Sequence, residues 1–167
     1  MSKPIVQWGP ERGFGPLNGV RILELAAIGP VPLAATILSD LGATVIRVDR
    51  PPSSRGTPPP PPHFDILGRG RTSTVVDLRS EAGHAQLVDL AEDADILIEG
   101  LRPGIMERLG LGPDVLCARN PRLIFARMTG WGQSGPLRDR AGHDINYLAL
   151  TGSLHAMATP IELPLLP

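Results

Sequence analysis

The sequence is short of several residue types, and each shortage narrows the possible function classes. Lys3 is the only lysine among 16 basic residues, and the formal net charge is −1. A balanced charge gives no global attraction to nucleic acid or to an anionic membrane surface. No apolar run approaches the roughly 18 residues that span a bilayer, and residues 1–16 lack the apolar core of a signal peptide. We therefore expect no nucleic-acid partner and no membrane partner.

Cysteine is nearly absent as well. Cys117 is the only one, so the chain cannot form an internal disulfide. The lack of disulfides is typical of a reducing compartment, and we expect a cytoplasmic protein. The histidines, His63, His84, His143 and His155, do not have the paired spacing of metal ligands. We expect no metal site.

Motifs that bind nucleotide cofactors are also missing. The turn after the first predicted strand reads AAIGPVP and lacks the G-x-G-x-x-G pattern of dinucleotide-binding folds. In that turn, Pro30 and Pro32 remove two N–H donors that a pyrophosphate would need. Residues 68–71 (GRGR) are too short for a phosphate cradle, and the sequence contains no P-loop. We expect no separate cofactor.

The chain does contain an alternation of β-branched apolar runs and segments with helical periodicity. Strands are predicted over residues 20–25, 44–48, 74–77, 96–99 and 123–128, and helices over 31–41, 81–92, about 103–109, 114–119 and 144–154. Pro30 and Pro32 suit the first turn of the first helix, and Ser80 is a candidate N-cap for the second. Strands that alternate with helices predict an α/β fold with a mostly parallel sheet flanked by helices.

Proline and glycine, 19 of each, divide the chain. Residues 1–15 are predicted to be a loose tail and residues 16–157 an α/β domain. Within that domain, residues 51–62 are predicted to be an extended proline-rich loop. The last ten residues, 158–167 (ATPIELPLLP), contain three prolines and predict neither a helix nor a central strand. The domain therefore looks interrupted at this end.

Four stretches of the chain carry a family resemblance. They read GVRILELAAIGPVPLAATILSDLGATVIRVDRP (19–51), VVDLRS (75–80), ADILIEGLRPGIMERLGLG (94–112) and RLIFARMTGWGQSGPLRDRAGHDINYLALTG (122–152). In that order they resemble the family III CoA-transferase superfamily and, within it, the α-methylacyl-CoA racemases. His143 lies where the racemases have a histidine that the CoA-transferring relatives do not usually carry.

The resemblance implies a Rossmann-like CoA-binding domain and a role in fatty acid and lipid metabolism. The implied reaction removes the α-proton of a 2-methylacyl-CoA thioester and returns it to the opposite face. A C–H group beside a thioester is weakly acidic, so such a site needs a base on each face and stabilisation of the enolate. By resemblance, His143 is one base. The acyl-CoA is the substrate, so CoA is not counted as a cofactor.

The resemblance also implies a set of residues that bind CoA. They are Arg50, Val76, Asp77, Leu78, Arg79, Gly100, Leu101, Arg102, Arg108, Gly142, Asp144, Ile145, Asn146 and Tyr147. Many of them follow predicted strands, where α/β sheets bind ligands. Arginine has the planar fork that suits phosphate groups, although each arginine alone could equally be a solvated surface residue.

The second base of the family is not found in this chain. In complete members it is an aspartate in a later GD-containing segment, assisted by a glutamate, and the members form homodimers. Asp144 cannot replace it, because adjacent residues at a helix start do not face the same point. We therefore expect a truncated racemase that is inactive alone. A CoA-transferase fragment and a non-catalytic CoA-binding remnant are the alternatives.

Overall fold

We describe a computed structural model of the chain at residues 8, 9, 11, 13–52, 61 and 64–157. Much of the predicted tail, most of the predicted proline-rich loop and all of the predicted stub lie outside these residues. The chain divides into two compact units, Met1–Met128 and Thr129–Pro167.

A five-stranded sheet forms the centre of the first unit, and all of its strand pairs are parallel. The strands are β1 (Arg21–Leu25), β2 (Thr44–Asp49), β3 (Thr72–Val75), β4 (Ile96–Glu99) and β5 (Ile124–Arg127). Their order across the sheet is β3-β2-β1-β4-β5, so the chain moves outward from β1 in one direction and then returns to its other side. The predicted α/β fold class is confirmed.

The helices are short, and most of them lie in the first unit. They are α1 (Pro30–Asp40), α2 (Glu81–Glu92), α3 (Ile105–Arg108) and α4 (Pro113–Arg119) in the first unit and α5 (Asp144–Leu150) and α6 (Ser153–Ala156) in the second, with a 3-10 turn at Ile66–Gly68. Among the described residues, no helix has the length and hydrophobicity needed to cross a membrane.

Two apolar cores, one on each face of the sheet, hold the first unit together. Leu23 of β1 is fully buried in one core with Leu87 of α2 and Leu116 of α4. Ile22, which points to the opposite face, is buried in the other core with Ala35 of α1. Strands that are covered on both faces need apolar side chains at successive positions, which explains the continuous apolar runs in the sequence. Burial of this apolar area is the main favourable contribution to folding.

The ends of the first two helices follow the sequence signals. Pro30 and Pro32 lie in the first turn of α1, where a missing N–H costs nothing. Ser80 caps α2, and its hydroxyl accepts a hydrogen bond of 3.0 Å from the N–H of Gly83. The predicted bounds of α2 are confirmed.

The third strand lies two residues earlier than its predicted position. It pairs with β2 from Thr72, opposite Ile46, to Val75, opposite Asp49. Since β3 is the outermost strand of the sheet, Thr72 and Ser73 can remain exposed. The prediction followed the apolar residues and was therefore wrong in its bounds, 74–77.

The helix predicted from a cap at Asp144 to Leu154 is also different. The N-cap is His143, and Asp144 is already the first helical residue. The helix ends at Leu150 because Gly152, with φ 79°, takes a left-handed conformation that interrupts the helix. Gly152 is also the N-cap of the next helix, α6.

Candidate functional site

Several predicted CoA-binding residues of the first unit follow the carboxyl ends of three strands, β2, β3 and β4. Arg50 follows β2, residues 76–79 follow β3, and residues 100–102 follow β4. Because the sheet is parallel, these segments emerge at the same edge. The direction of chain progression reverses between β1 and β4, and ligands of open α/β sheets bind outside the carboxyl ends at such a reversal.

Local contacts define the conformation of the segment after β3. The N–H of Val76 donates to the carbonyl of Asp49 at 2.9 Å, which extends the pairing of β3 with β2. The N–H of Arg79 then donates to Oδ1 of Asp77 at 3.0 Å. A Cβ at Gly83 would overlap the carbonyl oxygen of Asp77, so glycine lets α2 approach this turn closely. The turn leaves Asp77 and Arg79 exposed.

Three of the predicted CoA-binding residues have side chains that pack inward. Val76 is 2% exposed, and Leu78 and Leu101 are partly buried against the same apolar core. These side chains contribute to the core of the first unit. Only the backbone groups of Val76 remain to contact a ligand, whereas Leu78 and Leu101 also keep part of their side chains at the surface.

Gly100 lies at the close approach between the segment after β4 and the segment after β1. A Cβ at Gly100 would lie 2.8 Å from Cγ2 of Val31 and 3.2 Å from Cβ of Ala27. Both distances are shorter than ordinary van der Waals contacts. Glycine therefore allows the two loops to pack together next to the reversal point of the sheet.

The carboxylate of Glu99 organises the same segment from within. Its side chain is almost entirely buried, and Oε2 accepts a hydrogen bond of 2.6 Å from the N–H of Leu101. Burial raises the pKa of Glu99, while the Leu101 hydrogen bond and the charge of Arg127 act to lower it. Nε of Arg127 lies 3.8 Å from Oε1 of Glu99. A buried carboxylate thus links β4 to the loop that follows it.

Arg127 also binds a second carboxylate. Its guanidinium donates to Oε1 of Glu107 on α3. This hydrogen bond is the main reason why the pKa of Glu107 is lowered. Arg127 therefore contacts acidic groups at both ends of residues 99–107.

The predicted phosphate-binding arginines are accessible to solvent. Arg50, Arg79, Arg102 and Arg108 are all exposed. Arg108 lies on α3, beside Glu107. Each of these guanidinium groups can reach a ligand that approaches from solution.

In the second unit, the remaining predicted residues lie at the start of α5. His143 is exposed and precedes the first turn of α5, with its N–H donating to Oδ1 of Asn146 at 2.9 Å. Asp144 and Ile145 are exposed as well. The imidazole is therefore accessible rather than packed in the interior of this unit.

Aromatic packing holds the glycine-rich loop of the second unit. The ring centroids of Trp131 and Tyr147 are 4.9 Å apart, with 59° between the ring planes. A Cβ at Gly130 or at Gly142 would overlap the hydroxyl of Tyr147. These two glycines let the loop close around the tyrosine, next to His143.

A buried ion pair on the α1 face of the sheet was not predicted. Glu24 of β1, fully buried, accepts a hydrogen bond from Arg71, whose side chain is 2% exposed. Nearby, Arg47 of β2 binds Asp49 at 3.1 Å and Asp65 at 3.0 Å. The sequence did contain a signal for this pair, because Glu24 is a charged residue within the apolar run VRILEL and a buried charge needs a partner.

Comparison with known proteins assigns the chain to a family. The sequence pattern of CoA-transferase family III matches residues 17–167. The match includes residues 158–167, which we predicted to lie outside the resemblance.

The chain is similar to proteins of two activities. It is 46% identical over 153 residues to alpha-methylacyl-CoA racemase of Homo sapiens, covering 90% of this chain and 38% of that protein. It is 42% identical over 154 residues to a probable fatty acyl-CoA transferase of Mycobacterium tuberculosis, covering 87% of this chain and 39% of that protein.

A solved structure gives the same family and fold. A CAIB/BAIF family protein from Brucella suis has a TM-score of 0.82 at 33% identity, over 92% of this chain and 43% of that one. The chain belongs to CoA-transferase family III. Its relatives include a protein named alpha-methylacyl-CoA racemase. It spans about two fifths of the length of these relatives.

Proposed function

We propose that the chain is the CoA-binding part of an α-methylacyl-CoA racemase. The observation that carries the proposal is the position of Arg50, residues 76–79 and residues 100–102 after strand ends at one edge of a parallel sheet. Exposed arginines in these positions suit the phosphates of CoA, because guanidinium groups bind phosphate oxygens through two parallel hydrogen bonds. The 46% identity with the human racemase supports the choice of substrate class.

In this proposal His143 carries one of the two bases. The imidazole takes the α-proton of a 2-methylacyl-CoA on one face or delivers a proton to the planar enolate on that face. Inversion also needs a proton donor on the opposite face. We propose that no residue of this chain serves as the second base, so the pure chain binds CoA but does not racemise its thioesters. A homodimeric, cytoplasmic enzyme is part of the same proposal.

A second candidate is a CoA-transferase. The observation in its favour is the 42% identity with the probable fatty acyl-CoA transferase of M. tuberculosis. A transferase uses a carboxylate nucleophile to move CoA between acids and does not need a base against the α-proton. The two candidates therefore assign different importance to His143.

The first experiment measures CoA binding by isothermal titration calorimetry. We expect saturable binding of one CoA per chain, weakened about tenfold or more by Arg102→Ala, because one charge-assisted hydrogen bond to phosphate contributes on this order. Arg119→Ala is the matched control. Arg119, on α4, is an exposed arginine that lies 3.5 Å from Glu92 and follows none of the strand ends. No heat with millimolar CoA would refute the proposal.

The second experiment tests whether the chain alone has racemase or transferase activity. Both epimers of a 2-methylacyl-CoA are incubated with the pure chain, and the epimer ratio and CoA transfer to free acids are followed by chromatography. We expect neither activity from the chain alone. Epimerisation by the chain would contradict its inactivity. CoA transfer that persists in His143→Ala would favour the transferase.

A further inference from the structure

The segment from Glu99 to Arg108 contains four of the predicted CoA-binding residues, and an acidic side chain lies near each end of it. Glu99 ends β4, and Glu107 lies on α3 next to Arg108. The side chain of Glu99 is 4% exposed and that of Glu107 is 45% exposed. One carboxylate is thus anchored in the interior and the other is near the surface.

Arg127 joins these two carboxylates. It is the partner of Glu99 in the β4–β5 register, with Nε 3.8 Å from Oε1, and it donates a hydrogen bond to Oε1 of Glu107. Its side chain is 18% exposed, and its guanidinium lies 5.3 Å from the ring of Phe125. The planar guanidinium is the side chain best suited to bind two acceptors at once.

The two oxygens of Glu99 have different partners. Oε2 accepts the hydrogen bond from the N–H of Leu101, and Oε1 faces Arg127. The orientation of the carboxylate relative to Arg127 therefore also determines where the backbone of residues 100–102 is held.

Helix α3 depends on its surroundings for its position. It has four residues, and its N-cap, Gly104, has a left-handed backbone without a side-chain cap. Such a short helix is not stable by itself in water. Met106 is buried and holds the helix to the core, while Glu107 connects it to Arg127. These contacts orient Arg108.

We propose that Arg127 is a positioning residue for CoA binding: by bridging Glu99 and Glu107 it holds residues 100–108 in the conformation that binds the phosphates of CoA. The inference rests on the proposed function. Arg127 itself need not touch the ligand. It sets the geometry of Arg102 and Arg108, which do.

The test compares Arg127→Met and Arg127→Lys with the control Arg119→Met. Arg127→Met removes the bridge and keeps most of the apolar stem. Arg127→Lys keeps the charge but replaces the planar fork by a point charge that cannot bind both carboxylates in one plane. In calorimetry with CoA we expect about tenfold weaker binding or more for Arg127→Met, a partial loss for Arg127→Lys, and a change within about twofold for Arg119→Met.

A second measurement distinguishes positioning from general destabilisation. Amide hydrogen exchange of the free protein is expected to accelerate in residues 100–108 of Arg127→Met, including the amide of Leu101, and to remain unchanged in α2. If Arg127 only contributed to overall stability, exchange would increase in α2 as well. In case Arg127→Met does not fold because Glu99 loses its partner, Arg127→Met with Glu99→Gln removes the unpaired charge and keeps an acceptor for the N–H of Leu101.

The possible failures are distinguishable. Absence of CoA binding by the unaltered chain refutes the proposed function and, with it, the role of Arg127. Binding by the unaltered chain together with binding by Arg127→Met, or by its double variant, within about twofold refutes only the role of Arg127. Amide exchange in Arg127→Met that is faster in α2 as well as in residues 100–108 also refutes only the role of Arg127.

Discussion

At the scale of single residues, the first unit contains charges where an apolar core would be simpler. Glu24 and Arg71 form a buried pair between β1 and the segment before β3. Taking two charges out of water is costly, and their attraction compensates only when the geometry is good. The pair therefore links two chain segments that are far apart in sequence, and removal of one partner leaves a buried charge without compensation.

We predict that Arg71 is needed mainly because the Glu24 carboxylate is buried beside it. Arg71→Met alone is expected to lower the free energy of unfolding by about 3 kcal/mol, the usual effect of leaving one buried charge unpaired. The double variant Glu24→Gln with Arg71→Met is expected to lose much less. Urea unfolding of the unaltered chain, the two single variants Glu24→Gln and Arg71→Met, and the double variant gives the coupling energy. Additive effects of the two single changes would contradict the prediction.

The pH dependence of stability gives a second test at this scale. Burial raises the pKa of the Glu24 carboxyl above its ordinary value, because loss of hydration outweighs the attraction of Arg71. The folded state then binds the proton more tightly than the unfolded state, so this contribution to stability is lost as the pH rises through the folded pKa. We expect the unfolding free energy of the unaltered chain, relative to that of Glu24→Gln, to increase from pH 7 towards pH 4.5, the ordinary value for this group.

Glu107→Gln is the matched control with the opposite sign. The hydrogen bond from Arg127 lowers the pKa of Glu107, so its contribution is present at neutral pH and is lost as the pH falls through the folded pKa. The difference between the unaltered chain and Glu107→Gln should therefore narrow on acidification. Equal slopes in the two comparisons would show that at least one of the two carboxyls does not behave as described.

At the scale of secondary-structure elements, helix α2 was more predictable than strand β3. Ser80 and the apolar spacing after it placed α2 at the correct residues, because a cap and a periodic stripe are both local signals. The bounds of β3 were missed because an edge strand needs no apolar pattern, so Thr72 and Ser73 gave no signal. The order of the strands was not predicted, since pairing between β1 and β4 is not written in any local stretch.

The candidate site was only partly predictable for the same reason. Its CoA-binding positions came from the family resemblance and not from periodicity. The contact of Glu99 with Arg127 depends on β4 and β5 being neighbours in register, and no spacing along the chain indicates it. The inward packing of Val76, Leu78 and Leu101 likewise emerged only with the tertiary structure.

One element-scale prediction concerns the turn between β3 and α2. Gly83→Ala is expected to destabilise the first unit by about 1 to 3 kcal/mol, the usual range for overpacking, because the added methyl group would overlap the carbonyl of Asp77. Gly9→Ala is the matched control, since its nearest neighbour would be a methyl group of Thr72 at an ordinary 3.8 Å. Thermal unfolding measures both. Equal melting temperatures for the two variants would contradict the account.

At the scale of the whole molecule, the chain combines a parallel α/β unit with a second unit that contains the histidine of the racemase-like motif. The described residues form a five-stranded sheet with an apolar core on each face, within a chain that covers about two fifths of the length of its relatives. In the proposed function, the segments at the strand ends bind CoA and His143 transfers the proton. In the proposed function, catalysis requires a second base that this chain does not supply, whereas CoA binding does not require it.

The most direct test of this division is a hydrogen-exchange footprint of the chain with and without saturating CoA. We predict slower amide exchange in residues 76–79 and 100–108 when CoA is bound, and unchanged exchange in α4, which contains none of the predicted CoA-binding residues. Protection confined to other segments, or no protection at a CoA concentration that saturates the calorimetric signal, would contradict the central claim that these segments bind CoA.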